Sequence, residues 1–147
     1  MFKSIADLHH LLHKNLRKRL VLAVSQDSHS LGAVARAKIS GMIEPILVGN
    51  KAETVALLAQ IGHHFEDSVF IDEPDVEKAV ELAVKIVNRG DAQILMKGNV
   101  PTPTLLKAVL NKDWGLRSGC LLSHFALFEV EASHKLIAVP DVATNIA

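Results

Sequence analysis

The sequence predicts an α/β protein with three layers, in which helices cover both faces of a mostly parallel sheet. Apolar runs of strand length alternate with stretches whose apolar residues recur at helical spacing, four times between residues 20 and 110. Short turns rich in Gly, Pro and polar residues separate these segments, as in βα units. Parallel strands of this kind bind ligands in the crevice beyond their carboxyl ends.

Local signals mark the borders of the first three units. Asp27 or Ser28 is placed to cap a helix N-terminus, and because it follows a strand it is also a candidate for lining a ligand cleft. Gly41 and Gly90 end two of the helices, and Pro74 opens the third. The predicted strands are residues 20–24, 45–48 and 69–71, with a Gly-Asn turn at residues 49–50. The predicted helices are residues 31–39, 51–61 and 74–87, after an amphipathic opening helix over residues 2–18.

The fourth unit contains the loop on which the functional interpretation depends. An apolar run ends at Lys97-Gly98, and a Gly/Pro loop then leads into a helix. Thr102 and Thr104 are placed to cap that helix, and free N–H groups at a helix start attract anions. We interpret this loop as a phosphate-binding corner. The alternative is a turn that binds nothing, since βα units use the same residue types for purely structural turns.

The pattern changes after residue 119. Residues 120–130 form a long apolar run, and residues 136–139 form another strand after a short turn, with no room for a crossover helix. We therefore predict an antiparallel pair that makes the sheet mixed. Asp141 and Asn145 follow this strand with no helix after them, which is typical of a domain cut from a longer protein. Asp141 alternatively caps a missing helix.

Composition narrows the class of protein. A chain of 147 residues with 49% apolar residues fits one domain, and 16 basic residues balance 16 acidic ones, so nucleic acid is not an expected partner. The single cysteine, Cys120, lies in an apolar run and favours a buried thiol over a nucleophile. His9 and His13 lack a third ligand, so no metal is expected. Without a signal peptide or an apolar run of membrane-spanning length, we expect a cytoplasmic protein that does not contact membranes.

Several linked motifs carry a resemblance to a known family. The motifs are MKGNVPTPTLLKAVLNK at residues 96–112, GLRSG at residues 115–119, SHF at residues 123–125, EPILVG at residues 44–49, and Asp141 with Asn145. In this order they resemble the phosphate acetyl/butyryltransferase family, and most of all its butyryltransferase branch, from about residue 20 onward.

The resemblance implies that an acyl group, butyryl or another short chain, is exchanged between coenzyme A and inorganic phosphate, with coenzyme A as a substrate and no bound cofactor. It implies the fold of isocitrate and isopropylmalate dehydrogenases, with two α/β/α domains around a cleft, usually in a homodimer. Residues 1–147 would then be the N-terminal domain. The base that acts on the coenzyme A thiol would lie in the second domain, so no catalytic residue is assigned in this chain.

The resemblance also implies site residues, position by position. Many family members have arginine where Lys107 stands, and lysine lacks the two-pronged donor geometry of arginine, so Arg117 is expected to hold more of the phosphate charge. Solvated surface charge is the alternative for Lys107 and Arg117. For His124, a hydrogen-bonded core position is expected over a catalytic role. The phosphate-binding candidates are Lys97, Gly98, Asn99, Thr102, Thr104, Lys107 and Arg117, and the cleft-lining candidates are Ser123, Asp141 and Asn145.

Two other functions compete with the transferase. One is a non-catalytic module that binds acyl phosphate or coenzyme A. The other is an acyltransferase that moves the acyl group between an acyl carrier protein and phosphate.

Overall fold

The structure is a computed structural model that describes residues 4–7, 17–65, 67–119, 122–130 and 135–140. These residues fall into two compact units. The larger unit comprises residues 17–117, and the smaller one combines the described residues that precede and follow it. The assignment of all 147 residues to one domain remains a prediction.

The larger unit consists of four consecutive βα units. All its strand pairs are parallel, and their spatial order is β3-β2-β1-β4. This confirms the α/β class and the four units expected from the hydrophobic pattern. The elements are β1 (Lys18–Ala23), α1 (Ser28–Ile39), β2 (Ile43–Gly49), α2 (Lys51–Gln60), β3 (Val69–Asp72), α3 (Val76–Asn88), β4 (Ile94–Lys97) and α4 (Thr102–Val109).

Helices cover both faces of this sheet because successive side chains of the central strand β1 point in opposite directions. Leu20 and Leu22 belong to the core beneath α1 and α2, which also contains Leu31 and Leu58. Val21 and Ala23 belong to the core on the other face, against α3 and α4. The unit therefore has the predicted three layers. The likeness to isocitrate and isopropylmalate dehydrogenases remains a prediction.

The helix borders follow the local signals, with two differences. Gly41 and Gly90 take positive φ angles, +74° and +81°, directly after the helices that they end. The cap of α3 is Asp75, one residue after Pro74, and the helix begins at Val76, two residues later than predicted. Lys18 belongs to β1, so the opening helix does not reach it; residues 5–7 are helical, and residues 8–16 lie outside the described part.

The smaller unit contains the predicted antiparallel pair, β5 (Phe125–Val130) and β6 (Lys135–Pro140). These two strands form a sheet of their own, so the expectation of one mixed sheet is wrong for the strands that the structure describes. The physical reason is that neighbouring antiparallel strands pair with each other locally and need no third strand to complete that ladder.

Candidate functional site

The chain reverses its direction of strand addition between β3 and β4. It runs outward from β1 to β2 and β3, then crosses back to place β4 on the opposite side of β1. Such a switch point opens a crevice at the carboxyl ends of the two strands on either side of it, because their loops leave toward opposite faces. The loops after β1 and β4 therefore border the position at which α/β sheets bind ligands.

These two loops are joined by backbone hydrogen bonds. Gly98 N–H donates to Ala23 O across 2.9 Å, and Asn99 N–H donates to Val24 O across 3.1 Å. A Cβ atom on Gly98 would overlap Val24 O and would lie 2.7 Å from Ala23 O. Only glycine permits this approach, and the glycine of the predicted corner thus serves close contact between loops.

A buried polar network holds the β1–α1 loop from its other side. Ser25 Oγ lies 2.8 Å from Thr54 Oγ1, whose own hydroxyl donates to Asn50 O across 2.7 Å. Because that proton is used, Ser25 supplies the proton of the shared bond. Val24, just before Ser25, has a φ angle of +58°, which costs a β-branched residue on the order of 1–3 kcal/mol. The network and the sheet fix this loop in a conformation that its sequence does not favour.

Asp27 is the N-cap of α1, one of the two residues proposed for that role. Its carboxylate accepts the backbone N–H of Ser30 across 2.8 Å. Hydrogen bonds from Ser30 keep the pKa of Asp27 below its ordinary value, and the nearby charges of His29 and Lys97 act in the same direction, against a smaller opposing effect of burial. Asp27 is therefore ionised at neutral pH beside the crevice.

Lys97 ends β4 and turns its ammonium back onto its own loop. Nζ donates to Val100 O across 2.9 Å and to Gly98 O across 3.4 Å. Its backbone oxygen accepts the hydroxyl of Ser30 across 3.4 Å, a second link between the loops. Lys97 was predicted to be a phosphate ligand, and the structure shows its ammonium bonded to two loop carbonyls.

The start of α4 differs from the prediction in its capping. Pro101 is the N-cap and has no side-chain hydrogen bond, while Thr102 is the first helical residue, so the expected threonine cap is wrong. The amides of Gly98, Asn99 and Val100 all donate within the protein. Pro103 has no N–H, and Thr102 retains an N–H with no partner among the described residues. Asn99 and Thr102 are both exposed next to the loop junction.

Thr104 and Lys107 lie elsewhere on α4. They line a shallow cavity of about 180 Å³ between α3 and α4, together with Glu77, Glu81 and Trp114. Helix residues two and five positions after Thr102 point about 160° and 140° away from it around the axis. The structure thus separates Thr104 and Lys107 from Asn99 and Thr102.

The remaining candidates are also dispersed. Leu116 N–H donates to Val109 O at the end of α4, so the exposed Arg117 follows the end of that helix farthest from the Gly98 loop. Ser123 and His124 are exposed residues that precede β5, which corrects the expected core position of His124. Asp141 and Asn145, like the Cys120 thiol and the His9–His13 pair, lie outside the described residues.

Sequence analysis missed two residues that connect the loops, Ser30 and Gln26. Gln26 Oε1 accepts Asn50 N–H across 3.2 Å, and Ser30 reaches both Asp27 and Lys97 O. A signal existed for Ser30, because a residue three positions after an N-cap is the ordinary partner of the cap. The contact of Gln26 is long-range and carries no local signal.

The chain is similar in sequence to curated phosphate acyltransferases. A phosphate butyryltransferase from Clostridium acetobutylicum is 41% identical over 145 residues, which cover 99% of this chain and 48% of that protein. A second phosphate butyryltransferase, from Clostridium beijerinckii, is 39% identical over 145 residues, which again cover 99% of this chain and 48% of that protein. The chain is a homologue of the phosphate butyryltransferases. A phosphate acetyltransferase from Thermotoga maritima is 31% identical over 124 residues, 84% of this chain and 42% of that protein.

The fold of this butyryltransferase homologue agrees with solved structures. A phosphotransacetylase from Streptococcus pyogenes superposes with a TM-score of 0.76 at 21% identity, covering 97% of this chain and 53% of that one. No protein-family model matches the chain. The homologue spans about half the length of the curated relatives that it matches. Within its described part, no helix has the length and apolarity to cross a bilayer, and no cluster of three metal-ligating side chains occurs.

Proposed function

We propose that this chain forms the phosphate-binding wall of a phosphate acyltransferase, which converts acyl-CoA and inorganic phosphate into acyl phosphate and coenzyme A. The main support is the junction of the β1 and β4 loops at the switch point, in a chain homologous to phosphate butyryltransferases over 99% of its length. The names of these relatives also support butyryl or another short acyl group as the one transferred.

The chemistry requires a positioned phosphate. One phosphate oxygen attacks the thioester carbonyl, a tetrahedral oxyanion forms, and the sulfur–carbon bond breaks to release the coenzyme A thiolate. Holding the phosphate in line with the carbonyl lowers the entropic part of the barrier. N–H and hydroxyl donors hold the phosphate there by binding its negatively charged oxygens. In this proposal the exposed side chains of Asn99 and Thr102, with the Thr102 N–H, are the donors.

Other properties of the whole protein are also proposals. The resemblance supports a cytoplasmic homodimer that uses coenzyme A as a substrate and no bound cofactor. We assign the catalytic base to the region that corresponds to the other half of the relatives. Lys107 and Arg117 remain predicted contributors of positive charge to phosphate binding. Because they lie away from Asn99 and Thr102, they could act only if closure of a second domain brought the substrate toward α4.

A chimera tests this function. In it, the chain replaces the matching part of the C. acetobutylicum enzyme, and release of the coenzyme A thiol from butyryl-CoA is followed with a thiol-reactive dye. We expect thiol release that depends on phosphate from the chimera, and none from the chain alone. A folded chimera that binds phosphate without turnover would support the binding module instead. Turnover only with an acyl carrier protein would support the third function.

A further inference from the structure

We propose that Lys97 is a positioning residue, whose ammonium holds the β4–α4 loop in shape and does not itself bind phosphate. The inference refines the proposed function and rests on it for the role of the loop. It assigns Lys97 a task different from the one that its charge and position in the sequence indicate.

The hydrogen bonds of Nζ carry this argument. An ammonium has three N–H donors, and two of those on Lys97 are directed at Val100 O and Gly98 O, at 2.9 and 3.4 Å. Hydrogen bonds from a charged donor are about twice as strong as neutral ones, so the contact with the Val100 carbonyl holds the ammonium on its own loop when no anion is present.

The loop needs this support because its other attachments lie on one side. Gly98 and Asn99 donate their N–H groups to Ala23 O and Val24 O, and the Val100 side chain is 4% exposed in the core beside α3. Without Nζ, the carbonyl of Val100 would present partial negative charge next to an anion site, whereas the carbonyl of Gly98 would still accept the N–H of Val100 across 2.9 Å. By accepting from Nζ, the oxygen of Val100 gains a positively charged partner on the side of the loop that faces away from Ala23 and Val24.

The donors left for phosphate are then neutral ones. Asn99 lies within residues 98–100 and Thr102 comes two residues after them, so the positions of both side chains depend on the conformation of this segment. Loss of the ammonium therefore weakens phosphate binding indirectly, by releasing the segment that positions these two side chains.

Amide hydrogen exchange measured without phosphate distinguishes a positioning role of Lys97 from a role as phosphate ligand. NMR would measure the exchange of the Gly98 and Asn99 amides in the chain and in Lys97→Met. We expect exchange at least about tenfold faster in the variant, because a hydrogen bond from a charged group is lost. Lys51→Met is the matched control, since Lys51 stands at the same sheet edge with its Nζ 5.7 Å from the Phe70 ring. It should leave both amides unchanged, and Lys97→Arg should restore most of the protection.

Unchanged exchange in a folded Lys97→Met variant would overturn the proposal, whether or not phosphate binding is lost. If the two amides exchange faster in Lys97→Met but the wild-type chain binds no phosphate, Lys97 still positions the loop and the proposed function is overturned. If the variant does not fold, the ammonium signal of ¹⁵N-labelled Lys97 in the wild-type chain carries the test. We expect that signal without phosphate, since bonded ammonium protons exchange slowly; a signal that appears only with phosphate would contradict the positioning role.

Discussion

The backbone N–H of Gly98 donates to the carbonyl oxygen of Ala23 across 2.9 Å, at the point where two parallel strands end side by side. This bond continues the β1–β4 ladder by one residue into the loops. It places the predicted phosphate-binding loop in contact with the β1–α1 loop, at whose end Asp27 caps α1. The candidate site therefore depends on contacts between residues more than 70 positions apart.

Replacement of Gly98 by alanine should destabilise the larger unit. The new Cβ would overlap Val24 O, which is backbone and cannot rotate away. We expect a loss of about 1–3 kcal/mol in the free energy of unfolding, measured by urea denaturation. Gly32→Ala is the control, because its Cβ would lie 3.6 Å from the nearest atom, on Arg36, within a helix. That change should stabilise by up to about 1 kcal/mol. Equal stability of the two variants would refute the close approach at Gly98.

Thr54→Val tests the buried network. The substitution keeps the shape of the side chain and removes the oxygen that accepts the Ser25 hydroxyl, which leaves a buried donor unpaired. We expect a destabilisation of about 1–3 kcal/mol in thermal or urea unfolding. In Thr54→Val combined with Ser25→Ala, the second change should cost less than it does alone, because both partners are then gone. Strictly additive costs would show that the two hydroxyls do not interact.

Asp27→Asn should change the dependence of stability on pH. The lowered pKa of Asp27 in the folded state means that its charge stabilises the fold above the unfolded value of about 3.9, and that this contribution is lost as the pH falls through the folded value. Asparagine retains the capping oxygen without the charge. We expect the variant to be less stable by about 0.3–1 kcal/mol at pH 7, with the difference shrinking as the pH falls through the lowered pKa of the folded state. A difference independent of pH would contradict the charge effect.

Thr102→Val should weaken phosphate use without affecting folding. Thr102 is exposed and makes no capping bond, so stability should stay within about 0.5 kcal/mol. In the chimera, we expect the KM for phosphate to rise about tenfold with kcat nearly unchanged, because a hydroxyl donor to a charged ligand is lost. Thr104→Val, in the cavity between α3 and α4, should raise that KM much less. The reverse order of the two effects would move the phosphate site to that cavity.

Local patterns predicted the fold because its determinants are local. Local sequence alone indicates the continuous apolar run from Leu20 to Ala23, the cap at Asp27 and the helix-ending glycines Gly41 and Gly90. Four such units leave few ways to cover a parallel sheet. The mixed sheet was a wrong extension of the same reasoning, since a hairpin contains no information about which third strand it joins.

The candidate site was only partly predictable because its geometry is long-range. The position of the loop at the carboxyl edge followed from the βα order, but the use of the Gly98 and Asn99 amides by β1 did not. Because the helix begins at Thr102, the N-cap position falls on Pro101, which has no side chain that can cap. The direction of the Lys97 ammonium depends on carbonyls that only the folded loop presents.

Titration of the ¹⁵N-labelled chain with inorganic phosphate at constant ionic strength tests the central claim most directly. If the joined β1 and β4 loops bind phosphate, saturable amide shifts should be confined to residues 27–30 and 98–104, with the largest at Thr102. Shifts that do not saturate, or that centre on α3 and the far end of α4, would contradict an anion site at the switch point.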